Sequence, residues 1–176
     1  LYEPLFLPCS YGYRPERSAK DAVIAVKEEI RNKYTWVVEA DIKGFFDHLD
    51  HEWLVKMLQT RINDKAFTEL IRRFLKAGVL CSDKTIEYPE QGSPQGSIIS
   101  PVLANIYLHY GLDMWFAAVF KKTCKGEAFL VRYADDFVAA FRYHDDAARF
   151  YKELEQRLSK FKLELAKDKT RKFMFS

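Results

Sequence analysis

Cysteine is scarce: Cys9, Cys81 and Cys124 are the only three in 176 residues, and they stand far apart. An odd, scattered set excludes a disulfide framework and offers no paired spacing for structural zinc, so a reduced, cytoplasmic protein is the expectation. Glycine and proline number only seven and six, and no repeat or low-complexity linker divides the chain. No apolar run approaches the length of a membrane span. Leu5-Phe6-Leu7-Pro8-Cys9 is too short for a secretory leader and has no basic stretch before it. An excess of one charge is lacking too: 28 Lys and Arg against 25 Asp and Glu leave +3, which permits a polyanionic partner without demanding one. G-x-x-x-x-G-K-[ST] is absent, since Gly92 to Ser97 carries no lysine, and that excludes a P-loop nucleotidase. The chain opens on Leu1 rather than Met and closes on an apolar Phe173-Met174-Phe175, so a piece of a longer polypeptide is expected.

What is present is apolar and aromatic: 48% hydrophobic residues, 15% Phe, Trp and Tyr, enough for one domain with a real core. One stretch organises it, Phe129-Leu-Val-Arg-Tyr-Ala-Asp-Asp-Phe-Val-Ala-Ala-Phe141. Two apolar runs of strand length flank Tyr133-Ala-Asp-Asp136 and predict a hairpin with two acids at its tip. Asp suits turns, but Asn-Gly or Asp-Gly is the usual choice there. Adjacent carboxylates repel each other and resist desolvation, so packing alone does not explain them. A divalent cation would.

Along the chain, Pro4, Pro8, Gly12 and Pro15 predict an irregular start. Ser18-Ala-Lys-Asp21 resembles a capping box for a helix with Ala22, Val23, Val26 and Ile30 on one face. Tyr34 to Ile42 reads as a strand with Asp41 near its end, the third carboxylate. Asp50 and Asp64 cap two further helices, and Val79 to Pro89 predicts a short hairpin turning near Ser82-Asp83-Lys84. Ser100-Pro101 fits the cap and first position of a long helix through Ile106, Tyr110, Met114 and Phe120. Asp145-Asp146 opens another, with Phe150 or Tyr151, Leu154, Leu158 and Phe161 inward, and Leu163 to Phe175 ends as strand or hairpin. The order predicts an α+β fold: a split β-α-β-β-α-β antiparallel sheet, ferredoxin-like, with helices packed on one face. In that plan the first strand lies beside the hairpin and Asp41 approaches Asp135.

Carboxylates at a sheet edge make a hard-oxygen site suited to Mg²⁺, and two such ions clamp an in-line displacement at phosphorus. The reaction class is phosphoryl or nucleotidyl transfer. His48 and His51 could pair as metal ligands but fit a solvated helix start better. Tyr107, Tyr110, Trp115 and Phe116 follow helical spacing and read as core. Arg132 is expected at the surface, with no role.

Tyr133-Ala-Asp-Asp136 in an apolar hairpin, with Asp41-Ile-Lys-Gly-Phe-Phe-Asp47 upstream, resembles a reverse transcriptase. Ser10-Tyr-Gly-Tyr-Arg-Pro-Glu-Arg-Ser18, the stretch from Gly92 to His109, and Leu163 to Arg171 narrow the resemblance to the group II intron type, over nearly the whole chain. It implies a polymerase palm at 35–176, with finger-like helices and a hairpin inserted around 62–90, after a partial fingers segment and first helix at 1–34. It implies Mg²⁺ (two ions) on Asp41 and Asp135 with the Ile42 carbonyl, Asp136 near the primer end, and Lys169 as proton donor to pyrophosphate. Phe46 matches the aromatic gate against a ribose 2′-hydroxyl. Pro94, Gln95 and Gly96 match the loop lining nucleotide and template, and Ala134 the close passage of the primer. Arg14 and Arg17 match a finger region touching template. The implied partners are an RNA template (intron RNA), a DNA primer and dNTP, and no membrane. Glu16 and Lys162 stand where that family has glycine, which questions both turns. A nonenzymatic maturase-like RNA-binding module is the alternative. A nucleotide cyclase is set aside, because its Gly-Gly-[Asp/Glu]-Glu-Phe is missing.

Overall fold

The computed structural model describes residues 1–77, 79–80, 86–88, 90–93 and 97–175. Four strands form one antiparallel sheet: β1 (Trp36–Ala40), β4 (Ala128–Tyr133), β5 (Asp136–Phe141) and β6 (Arg171–Met174), in the order β4-β5-β1-β6. A separate two-stranded ribbon joins β2 (Val79–Leu80) to β3 (Ile86–Glu87). It matches the expected hairpin, whose turn lies outside the described residues. The sheet order is that of the split β-α-β plan, with the first strand central.

Alternation builds two unequal faces. Val38, Ala40, Leu130, Phe137, Ala139 and Phe141 point into the main core, where they meet α2 (His51–Gln59), α4 (Ser100–Leu108) and α5 (His144–Lys160). On the reverse face, Val37 and Ala140 form a smaller cluster with Tyr34, Ile30, Phe129 and Val138. Ile30 belongs to α1 (Ala19–Lys33), so the first helix covers the side of the sheet that the other helices leave open. Its start is the predicted box: Ser18 Oγ accepts from the Asp21 amide, and Asp21 accepts from the Ser18 amide. Asp50 caps α2, and Asp64 caps α3 (Lys65–Leu75) through the Phe67 amide. Among the described residues no helix is long and apolar enough to cross a membrane.

The long helix departs from expectation at both ends. Ile99 rather than Ser100 is its cap, and Pro101 takes the second helical position. Beyond Leu108 the coil widens into π turns at His109–Asp113 and Phe116–Phe120. Each wide turn shifts the register, so Phe116 and Phe120 reach Phe141 and Phe150 edge-on while Asp113 faces the hairpin. In α5 the inward aromatic is Phe150, which is fully buried; Tyr151 packs only at the margin.

Both positions where glycine was expected keep the left-handed turn. Glu16 and Lys162 each have φ of 58°. A side chain there costs about 1–2 kcal/mol, which contacts elsewhere in the fold must offset. Lys162 contributes one itself, an ion pair of 2.5 Å to Asp50, the cap of α2.

Candidate active site

Asp41 follows the last residue of β1, and Ala40 pairs with Phe137 on β5. One further step along two antiparallel strands sets Asp41 beside Asp136. Alternation sends Ala40 and Ile42 into the core and leaves Asp41 on the open side, half-buried. The pairing then runs on past the named strands: Ile42 bridges Leu165, and the Asp41 carbonyl accepts from the Ala166 amide at 2.9 Å. Residues 165–169 are thereby laid along the Asp41 end of the sheet.

Asp41 and Asp135 line one cavity of about 380 Å³, together with Ile42, Phe46 and Lys169. Lys169 Nζ holds Asp41 Oδ2 at 3.0 Å, and that pairing pushes the ammonium's pKa up. Asp47 and Asp168 line the same cavity. Both lie inside motifs already singled out, and only the folded arrangement shows that they join the site. Asp136 opens instead on a smaller apolar hollow between α1 and the sheet, beside Tyr133 and Val138. Burial raises the Asp135 carboxyl above its ordinary range, and Asp136 and Asp41 add to it; burial and Asp41 do the same to Asp136.

The fit to a cation can be judged on these groups. The donors are hard oxygens, their charges repel one another, and an ammonium already sits on one of them. Among the described residues no three His, Cys, Asp or Glu side chains form a ready ligand cluster. Mg²⁺ asks for less, one or two carboxylates with water and substrate phosphate completing its shell. Asp41 and Asp135, two carboxylates lining one cavity, fit that requirement in donor type.

Phe46 rides a single 3₁₀ turn, Phe45–Asp47, whose Phe45 is buried edge-on against Phe46 and Tyr107. The turn is clasped from outside: Ser93 N donates to the Phe46 carbonyl at 2.8 Å and Gly92 N to that of Leu49 at 2.8 Å. Gly92 has φ of 86°, and a Cβ there would stand 2.9 Å from the Phe46 carbonyl. His51 is buried and bonds the Gly92 carbonyl through Nε2 at 2.6 Å, while His48 Nδ1 bonds Gly44; they do not converge on a metal. Pro94, Gln95 and Gly96 lie outside the described residues.

Two arginines differ from expectation. The Arg14 side chain is 6% exposed, and its guanidinium binds Glu3 and the carbonyls of Leu7 and Ser10, so it braces the N-terminal segment instead of facing RNA. Arg17 donates to the carbonyls of Pro8 and Ser10 and stacks over Tyr11. Arg132, expected at the surface, is wholly buried against Asp113. By strand alternation it shares the core side of β4 with Ala128 and Leu130, and the partner that makes burial possible comes from the shifted register of the long helix.

A family model described as reverse transcriptase (RNA-dependent DNA polymerase) matches residues 2–175. The group II intron-encoded protein LtrA of Lactococcus lactis subsp. cremoris is 45% identical over 111 residues, 62% of this chain and 18% of its own length. An uncharacterized 91 kDa protein in the cob intron of Schizosaccharomyces pombe is 45% identical over 109 residues, 62% of this chain and 13% of its own length. The chain thus spans less than a fifth of these two relatives. In fold it is similar to apo telomerase from Candida tropicalis truncated from its C-terminal domain, with a TM-score of 0.70 at 15% identity over 96% of this chain and 36% of that one. A split antiparallel sheet with carboxylates at one edge, matched from end to end by one family model, places this chain in the reverse transcriptase family.

Proposed function

We propose that this chain is the palm, with part of the fingers, of an RNA-directed DNA polymerase of the group II intron type, adding dNTP to a DNA primer on an RNA template. The observation that carries the reading is the shared cavity of Asp41, Asp135, Phe46 and Lys169. Asp41, Asp135 and the Ile42 carbonyl would hold Mg²⁺, two ions when nucleotide is present. Metal bound there would supply Lewis-acid chemistry, lowering the pKa of a 3′-hydroxyl and offsetting charge on pyrophosphate.

The remaining steps belong to the chain's own groups. Asp136, turned out of the cavity, faces the primer end, and Ala134 leaves room for its backbone. The Phe46 ring lies under the sugar, offering a 2′-hydroxyl neither a partner nor space. Lys169 stays protonated because Asp41 favours its charged form; released from Asp41, it can donate that proton to the departing phosphate. Arg17, and the 94–96 loop by its motif, fall to the template side. A cytoplasmic setting belongs to the proposal on cysteine usage alone. The three acids at the site favour polymerisation over a splicing-only maturase role.

Template-dependent dNTP incorporation by the full-length protein with Mg²⁺ tests this. Asp135→Ala is expected to abolish incorporation while RNA binding stays near wild type. Residues 1–176 alone are expected to extend a primer poorly or not at all. Undiminished incorporation by Asp135→Ala would refute the assignment.

A further inference from the structure

Arg132 has no part in the chemistry above, yet it is among the largest fully buried side chains in the molecule. Burying a guanidinium is costly unless its donors are met, and here they are. Nε and Nη2 grip the Asp113 carboxylate as a fork, at 2.8 and 2.6 Å. Nη2 also donates to Ser10 Oγ at 3.0 Å, and Nη1 to Asn105 Oδ1 at 3.0 Å. The remaining bond matters most: Nη1 donates to the Ala134 carbonyl at 2.8 Å. That carbonyl is half of the peptide joining Ala134 to Asp135.

The turn it holds would not hold itself. Tyr133 pairs with Asp136, leaving a two-residue loop whose first member, Ala134, has φ of 57°. Non-glycine residues avoid that region. A second support arrives from the other side, where Gly12 packs so closely that a Cβ on it would collide with the Ala134 amide nitrogen. The Gly12 carbonyl accepts from Asn105 Nδ2, whose oxygen is already on Arg132. Ser10, Asn105 and Asp113 come from two distant segments and meet at one guanidinium, and Gly12 joins them through Asn105.

We propose that Arg132 is a positioning residue: locked by Asp113, it fixes the Ala134–Asp135 peptide and so aims the Asp135 carboxylate at Asp41. This rests on the reading of Asp41 and Asp135 as cation ligands. Partners that orient a ligating group typically change metal affinity by about 10–100-fold when lost. Lysine keeps the charge of Arg132 but not the planar fork.

The test is Mn²⁺ alone, titrated against the chain and followed by electron paramagnetic resonance, with circular dichroism reporting the fold. Wild type is expected to bind, Asp135→Asn to lose binding, and a folded Arg132→Lys to bind about tenfold more weakly. A folded Arg132→Lys with wild-type Mn²⁺ affinity overturns the proposal, since a merely structural role would lower the melting temperature and leave the affinity alone. Should Arg132→Lys not fold, Asp113→Asn decides, because it loosens the fork that locks Arg132 while leaving Arg132 and the tip residues in place. Weaker binding there supports the proposal, and unchanged binding sinks it. A wild-type chain that ignores Mn²⁺, or an Asp135→Asn variant that binds like it, removes the cation site and this assignment together. The first failure leaves the contrast between wild type and Asp135→Asn standing, so the two are told apart.

Discussion

Two groups of charges meet at one hairpin, a few residues apart along it, and are treated in opposite ways. Below the tip, Arg132 and Asp113 are both 0% exposed and fully engaged. At the tip, Asp135 and Asp136 are open to solvent on one side, and their neighbours raise their pKa values instead of lowering them. The lower pair is matched within the chain; the upper set is matched only partly, through Lys169 on Asp41. The contrast shows where the fold spends its polar contacts: on holding the turn, leaving the carboxylates it carries short of partners and ready for a cation.

The largest effect tests the buried side. Asp113→Ala leaves a desolvated guanidinium alone and is expected to cost about 3–5 kcal/mol in urea unfolding. Removing both charges, as Arg132→Met with Asp113→Leu, is expected to cost much less. A cost below about 1 kcal/mol for the single variant would place the pair in water's reach and break the comparison.

The second tests the open side and carries the opposite sign. The folded pKa values of Asp135 and Asp136 are raised, so the fold binds their protons more tightly than the unfolded chain does. Their contribution therefore favours folding below the ordinary carboxylate range and is lost as pH rises through the raised values. At pH 7 Asp135→Asn is expected to be the more stable protein, by about 1 kcal/mol or less, and the gap to wild type should close as pH falls through that window. Denaturant midpoints measured across pH decide it; a variant less stable than wild type at neutral pH would contradict the unmet-charge account.

The smallest effect concerns the turn between the two groups. Ala134→Gly and Glu16→Gly both relieve a left-handed residue, each worth about 1 kcal/mol or less. Both are expected to raise the melting temperature by a few degrees, but only Ala134→Gly should quicken amide hydrogen exchange at Asp135 and Asp136. Equal exchange in the two variants would mean that Arg132 alone holds the tip.

Much of this was legible from residue order. The hairpin, the caps at Ser18, Asp50 and Asp64, the strand just before Asp41 (shorter, at Trp36–Ala40, than the Tyr34 to Ile42 expected) and the split sheet all follow from short-range pattern, since periodicity and capping are local. Arg132 was misread because burial of a charge depends on partners from distant segments. Asp113 faces Arg132 only because a π turn displaces it, and no residue pattern announces a π turn. The glycine replacements were misjudged for a similar reason: Lys162 reaches Asp50, 112 positions away, and keeps a turn that its own backbone preference opposes.

By itself the chain's order of residues determined which segments extend, which coil, and that three acids would end near strand termini, because each of those choices is settled within a few neighbouring residues. Only the tertiary structure decided that Asp41 and Asp135 open on one cavity while Asp136 turns away, and that a hidden guanidinium carries the tip. Such matters depend on long-range register and on the cost of leaving a buried charge unmatched, which no local pattern encodes.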